Sequence, residues 1–267
     1  MNFHKIFLPF LCLILLFTVH FSPLAAQMGT GPEIEQILNR FAGDYEQDVT
    51  FKQDVTFGIN VDDSFWHIKA RAGSDVNSPE VRLLPGEPDE PTFFFFTDFE
   101  TLQKIDRGEL NALTGAAKAF SSDSAPFDMD VMDGFVPDQA FLPTLLSTLF
   151  HFWTKGTPEI IPFGLDHTRP NHGAQASIFY YQPGFRSAYV AIKKGQHANE
   201  NEKSKKNPFP TLLIGIKGTV DMVIDGKESV LTSGNAVLIP AGVSHEFLNP
   251  DRDEPFEGIL LMFGEGA

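Results

Sequence analysis

Apolar residues share one helical face at Ile34, Ile37, Leu38 and Phe41, and Pro32 and Glu33 suit the first turn of that helix. The period then drops to two. Val55, Phe57, Ile59 and Val61 alternate with polar or small neighbours, as do Trp66, Ile68 and Ala70, which predicts two strands. Residues 92–97 hold four consecutive Phe and suit a strand buried on both faces. Thr97, Asp98, Phe99 and Glu100 have the spacing of a capping box, Leu102 and Ile105 continue a helix, and Gly108 ends it. A second short helix is expected over 109–120, with Leu110, Leu113 and Ala117 inward. Phe127, Met129 and Val131 alternate with Asp128 and Asp130 as a half-buried strand. Residues 138–153 then form a strongly amphipathic helix, with Leu142, Leu145, Leu146 and Leu149 on its apolar side.

The stretch 155–173 has no sustained period and holds Pro158, Pro162, Pro170, Gly156, Gly164 and Gly173, so a linker is placed there. Beyond it helical patterns vanish. Short β-prone runs recur at 176–181, 187–192, 211–216, 219–224, 229–231, 236–239, 245–248 and 258–263, which argues a sandwich or barrel. At the other end, Lys5 precedes an apolar run over 6–21, and Leu24, Ala25 and Ala26 offer a cleavage point before Gln27. That pattern reads as a secretory leader, too short for a comfortable membrane span. The expected organisation is a signal peptide over 1–26, an α+β domain over 27–154, a linker over 155–173 and an all-β domain over 174–267.

The leader contains Cys12, the only cysteine, so the mature chain has no disulfide, thiol nucleophile or thiolate ligand. A net charge of −15 repels nucleic acid and anionic headgroups, so phosphate-rich partners are disfavoured. The 27 Phe point to large aromatic cores or an aromatic-lined cavity.

Gly234, Pro240, Gly242, His245 and Asn249 fit the pattern G-x5-P-x-G-x2-H-x3-N at every fixed position. This stretch resembles the second motif of the cupin family, and the resemblance implies a double-stranded β-helix of jelly-roll type. Gly218 and the turn Asp225-Gly226 resemble the end of the first motif and its hairpin. The run 92–120, with Gly108, Glu109, Leu110, Gly115, Ala116 and Ala117, is similar to the sterol carrier protein 2-like domain. That likeness implies an opening helix, a mixed sheet and a closing helix over an apolar tunnel.

Metal-binding cupins take two His and one Glu from the first motif, G-x5-H-x-H-x3,4-E-x6-G, and one His from the second, as the resemblance implies. Counting forward from Gly195 puts Asn201 and Lys203 in the two His slots, and counting back from Gly218 puts Thr211 in the Glu slot. Slot counting therefore favours no cofactor, with His245 a packed, hydrogen-bonded residue. The alternative is a divalent transition metal held by His197, Glu200, Glu202 and His245 after a slip in register, with His167 and His172 as further candidates. Tyr180, His245 and Phe247 are the expected ligand contacts, since alternation sends Tyr180 to one face and Phe179 and Tyr181 to the other. The favoured function is non-catalytic: a secreted or periplasmic binding or sensing protein for a small apolar or carbohydrate-like molecule. The alternatives are a metal-dependent oxygenase or isomerase, and a structural module that forms homo-oligomers.

Overall fold

The computed structural model describes residues 29–48, 53–74, 78–120, 122–138, 140–154 and 160–267, and the expected leader lies outside them. Helix α1 (Gly31–Gln47) opens where the Glu33 carboxylate accepts from the amide and hydroxyl of Thr30 at 3.1 and 2.8 Å. Five strands follow: β1 (Val55–Val61), β2 (Ser64–Arg71), β3 (Glu80–Pro85), β4 (Phe93–Thr97) and β5 (Phe127–Val131). They form a mixed sheet in the order β3-β2-β1-β4-β5, with β1 and β4 parallel. Phe93, Phe94 and Phe95 are all buried, as a strand covered on both faces requires. Phe94 lies over Gly58, where a Cβ would stand 2.1 Å from its ring, so only glycine fits beneath it.

Helices α2 (Phe99–Asp106), α3 (Ala112–Ala116) and α4 (Phe141–Phe152) complete this half, with two departures from expectation. The cap of α2 is Asp98, whose Oδ1 accepts from the Thr101 amide at 2.6 Å, one residue later than the expected box. The expected helix over 109–120 is only α3, because Asn111 Oδ1 accepts from the amides of Leu113 and Thr114 and fixes a late start. The interior is aromatic. Phe57 stacks on Phe93 at 5.8 Å and meets Phe95 and Phe152 edge-on at 5.5 and 5.0 Å, while Trp153 packs on Phe127 at 4.8 Å. Opening helix, mixed sheet and closing helix occur in the expected order, and rings pack directly between α4 and the sheet.

A single 3-10 turn (Leu165–His167) leads into ten strands. These are β6 (Arg169–Asn171), β7 (Ala174–Gln182), β8 (Phe185–Ile192), β9 (Gln196–Ala198), β10 (Thr211–Lys217), β11 (Thr219–Ile224), β12 (Lys227–Thr232), β13 (Ala236–Ile239), β14 (His245–Asn249) and β15 (Phe256–Phe263). They build a six-stranded sheet, β13-β10-β15-β8-β7-β6, and a four-stranded sheet, β12-β11-β14-β9. All eight expected strands are present. The additions, β6 and β9, are three residues each and too short to show a period, and β6 lies inside the stretch read as linker.

The two halves are joined along β7. Thr114 Oγ1 accepts from the Ile178 amide at 2.7 Å. Arg169 Nη1 donates to the carbonyls of Thr114, Gly115 and Ala117 at 3.2, 2.6 and 3.1 Å, satisfying the end of α3. Phe150 of α4 meets Tyr180 of β7 at 4.4 Å between ring centres.

Candidate functional site

The turn before β14 positions the site. Gly242 adopts φ +77°, which reverses the chain after Pro240. Its amide donates to Asn207 O at 2.7 Å, and the His245 amide donates to Lys205 O at 2.9 Å, so the 203–207 loop lies against this turn. Asn249 closes the far end of β14. It is fully buried, and its Nδ2 donates to the carbonyls of Ile192, Arg252 and Glu254 at 3.1, 3.2 and 3.3 Å.

His245 is buried, and its Nδ1 lies 3.1 Å from Val243 O. A carbonyl only accepts, so Nδ1 carries the proton and the neutral ring keeps Nε2 as a lone pair. Burial pushes the His245 pKa below its ordinary value. The ring lines a cavity of about 420 Å3 together with Phe247 of the same strand. Leu113, Leu146 and Leu149 from the N-terminal half also reach its wall. The volume suits a small-molecule site.

Strand register arranges this wall in rows. Tyr181, Arg186, Met262 and Thr211 stand opposite one another across β7, β8, β15 and β10. The next row is Ile178, Ala188, Leu260 and Leu213, and Val190 and Ile192 continue the inner face of β8. Three of the four residues in the first row carry polar groups, Met262 being the exception, and the rows beyond it are apolar. Arg186 places its guanidinium over the rings of Tyr181 and Phe209, at 4.7 and 5.2 Å from their centres. One terminal nitrogen donates to Tyr181 Oη at 3.2 Å and to Gly266 O at 3.3 Å, while Nε is buried without a partner. A donor left so costs about 1–3 kcal/mol. Beside the row, Asn207 Nδ2 donates to Thr211 Oγ1 at 3.1 Å.

The expected ligand contacts divide. His245 and Phe247 line the cavity, whereas Tyr180 does not and Tyr181 takes its place. A β-bulge is the reason: Ile178 pairs with Ala188 but Tyr180 pairs with Ser187, so Phe179 is an extra residue and the alternation inverts. Tyr180 instead packs on Phe150 and donates its hydroxyl to Gln182 Oε1 at 2.8 Å.

The expected metal set also divides. His197 pairs with Leu248 on the outer face, where its Nε2 lies 2.8 Å from Glu246 Oε2 and its Nδ1 lies 3.9 Å from Glu200 Oε1. Glu202 sits nearby, 2.8 Å from Lys205 Nζ. None of His197, Glu200 and Glu202 lines the cavity with His245. His172 does line it, with Nδ1 buried and unpartnered, and burial lowers its pKa. His167 lies in the 3-10 turn, outside the lining.

The first-motif slots shift as well. Thr211 lines the cavity, and a three-residue spacer counted back from it puts the His slots at Lys205 and Asn207 rather than Asn201 and Lys203. The loop is four residues longer than the forward count assumed. Asn201 is exposed, and Lys203, also exposed, reaches the lining. The groups at the four motif positions are thus an ammonium, paired outside the cavity with Glu202 and Glu246, then an amide, a hydroxyl and one imidazole. Among the described residues no three His, Cys, Asp or Glu gather to hold a metal ion. This donor set does not fit a divalent transition metal, which takes three or four imidazole, thiolate or carboxylate ligands. The sequence pattern does not mark Arg186 or Asn207, and it puts Tyr181 on the face opposite the expected contact Tyr180. Asn207 is within reach of a backward count, but the place of Tyr181 depends on the bulge and that of Arg186 on register.

A cupin domain family model matches residues 189–262. The C-terminal sandwich is a cupin. Similar solved structures include a Cupin 2 conserved barrel domain protein from Salinispora arenicola, at 21% identity over 41% of this chain and 91% of that one, TM-score 0.36. The plu4264 protein from Photorhabdus luminescens is 16% identical over 39% of this chain and 87% of that one, TM-score 0.35. An RmlC-like cupin from Shewanella frigidimarina is 16% identical over 41% and 94%, TM-score 0.34. No curated protein matches the chain. The cupin match takes in Thr211, His245 and Asn249, while Tyr181 and Arg186 precede it.

Proposed function

We propose that this protein is an exported, non-catalytic binding or sensing protein whose cupin cavity holds a small, largely apolar molecule. One observation carries the reading: a cavity of about 420 Å3 has apolar walls, and the motif-position groups that line it, Asn207, Thr211 and His245, are neutral hydrogen-bonding groups. Ala188, Val190, Leu213, Phe247 and Leu260 give it shape, and Asn207, Thr211 and His245 orient a polar atom. Thr211 accepts from an amide rather than pairing with a base, so it lacks the partner that activates a hydroxyl nucleophile. Export is supported by the apolar run over 6–21 and by Ala25 and Ala26 before Gln27. Among the described residues no helix is long and apolar enough to cross a membrane.

The test is titration of the purified mature protein with Nile red, a neutral apolar fluorophore. Saturable emission at one site is expected, lost in Val190→Phe, which fills the cavity, while the variant still melts cooperatively. Emission that does not saturate, or is unchanged in that variant, would refute the reading. Amino-terminal sequencing of the exported protein should begin at or near Gln27.

A further inference from the structure

We infer that the ligand of this cavity is an amphiphilic carboxylate, with its apolar body between the two sheets and its charged head at Arg186. The inference rests on reading the cavity as a binding site and adds the chemical class of what enters it. The sign of the lining charge is the first ground. The chain has 35 Asp and Glu against 20 Lys and Arg, yet the cavity is lined by Lys118, Arg186 and Lys203 and by no Asp or Glu. Lys118 is already neutralised by an ion pair with Asp128. Arg186 and Lys203 have no ion-pair partner among the described residues, in a protein where carboxylates abound.

The second ground is how Arg186 is held. Rings of Tyr181 and Phe209 lie against its guanidinium, and the bonds to Tyr181 Oη and Gly266 O fix one terminal nitrogen. The other terminal nitrogen, Nη1, makes no hydrogen bond among the described residues and, unlike the buried Nε, is accessible, so part of the donor fork remains unused. A planar fork with free donors matches a carboxylate, which accepts two parallel hydrogen bonds. Aromatic flanks keep it oriented before any ligand arrives.

The third ground is the gradient along the strands. Arg186 and Thr211 share one row across β8, β15 and β10, and the row beyond is Ala188, Leu260 and Leu213. Asn207, bonded to Thr211, lines the same cavity. A molecule with one anionic end and an apolar remainder satisfies both regions. A neutral apolar molecule would leave the Arg186 donors unpaired, and a polyanion would bring charge against Leu213 and Leu260.

The experiment is calorimetric titration of the full chain at neutral pH with octanoate and with 1-octanol, which share the apolar body and differ in the head. Octanoate is expected to bind about tenfold or more tightly than octanol. Arg186→Gln should remove that preference, bringing octanoate down to the affinity of octanol for the same variant, and Arg186→Lys should restore part of it. Equal affinities in the wild type, or octanoate binding indifferent to Arg186→Gln in a folded variant, would overturn the inference. Octanol binding without an octanoate preference would do so while leaving the apolar-cavity reading intact, and binding of neither would sink both. If Arg186→Gln does not fold, the wild-type comparison alone decides.

Discussion

Glu246 Oε2 and His197 Nε2 meet at 2.8 Å on the outer face of β14 and β9, while His245, one residue before Glu246, lines the cavity. Successive strand residues face opposite sides, so a single step separates the two histidines by the thickness of the sheet. Lys205 Nζ joins the outer pair at 3.1 Å from Glu246 Oε1. Burial favours the protonated Glu246, but the hydrogen bonds from Lys205 and His197 outweigh it and hold the carboxyl below its ordinary pKa. The outer cluster is an ion-pair network and the inner histidine stands apart from it.

Metal content follows from this separation. Elemental analysis of protein purified without chelator or affinity tag should find transition metal well below one equivalent. His197→Gln should leave that figure unchanged. Near-stoichiometric metal lost in His245→Gln would promote the enzyme reading and point to ligands from Asn207, Thr211 or His172.

One buried and one half-buried histidine predict a pH response. Burial depresses the pKa of His245, and of His172 despite an opposing pull from Asp123, below the ordinary 6.5. Above 6.5 both states bind no proton at these sites and stability is level. As pH falls through 6.5 the unfolded chain takes up protons that the folded one refuses, so stability falls until the folded pKa is passed. The melting temperature should drop between pH 7.5 and 5.5. The drop should shrink in His245→Gln and shrink further in the double variant with His172→Gln. A melting temperature flat over that interval would contradict the sign.

The five fixed residues of the second motif act locally, which is why they were legible. Gly242 reverses the chain, His245 opens β14 and Asn249 locks the loop after it, all within one stretch of sequence. Most strands were legible because one face is buried, which imposes a period of two, and β4, covered on both faces, was legible as an unbroken apolar run. The binding end of the cavity was not. Tyr181 faces it only because of the bulge at Phe179, and Arg186 joins Thr211 only through pairing of strands distant in sequence. The long 199–210 loop hid Asn207, since a forward count from Gly195 runs four residues short.

Asn249 tests the motif's structural part. Its side chain makes four hydrogen bonds in a fully buried site, three donated by Nδ2 and one accepted by Oδ1 from the Arg252 amide at 3.2 Å. Asn249→Ala strands those backbone groups and should cost about 3 kcal/mol, read from denaturant unfolding. Asn249→Asp keeps the acceptor but loses the donors, so it should be no better. A loss below about 1 kcal/mol would show that water replaces the side chain.

The junction between the halves gives the last test. Arg169 belongs to β6 but spends its Nη1 on three carbonyls at the end of α3, and Leu146 and Leu149 of α4 reach the cavity wall. Burial lowers the Arg169 pKa, with Asp128 opposing, and the guanidinium stays charged far above neutrality. Arg169→Ala should therefore destabilise the full chain by about 2–3 kcal/mol, because it strands the α3 carbonyls. A fragment of residues 160–267 keeps β6 and every cupin strand, so it should fold. It lacks Leu113, Leu146 and Leu149, however, so it should melt below the full chain and bind Nile red more weakly. An unfolded fragment would show that the cupin depends on α3 and α4 for its stability. A fragment that binds as tightly as the full chain would show that the N-terminal half contributes nothing to the cavity.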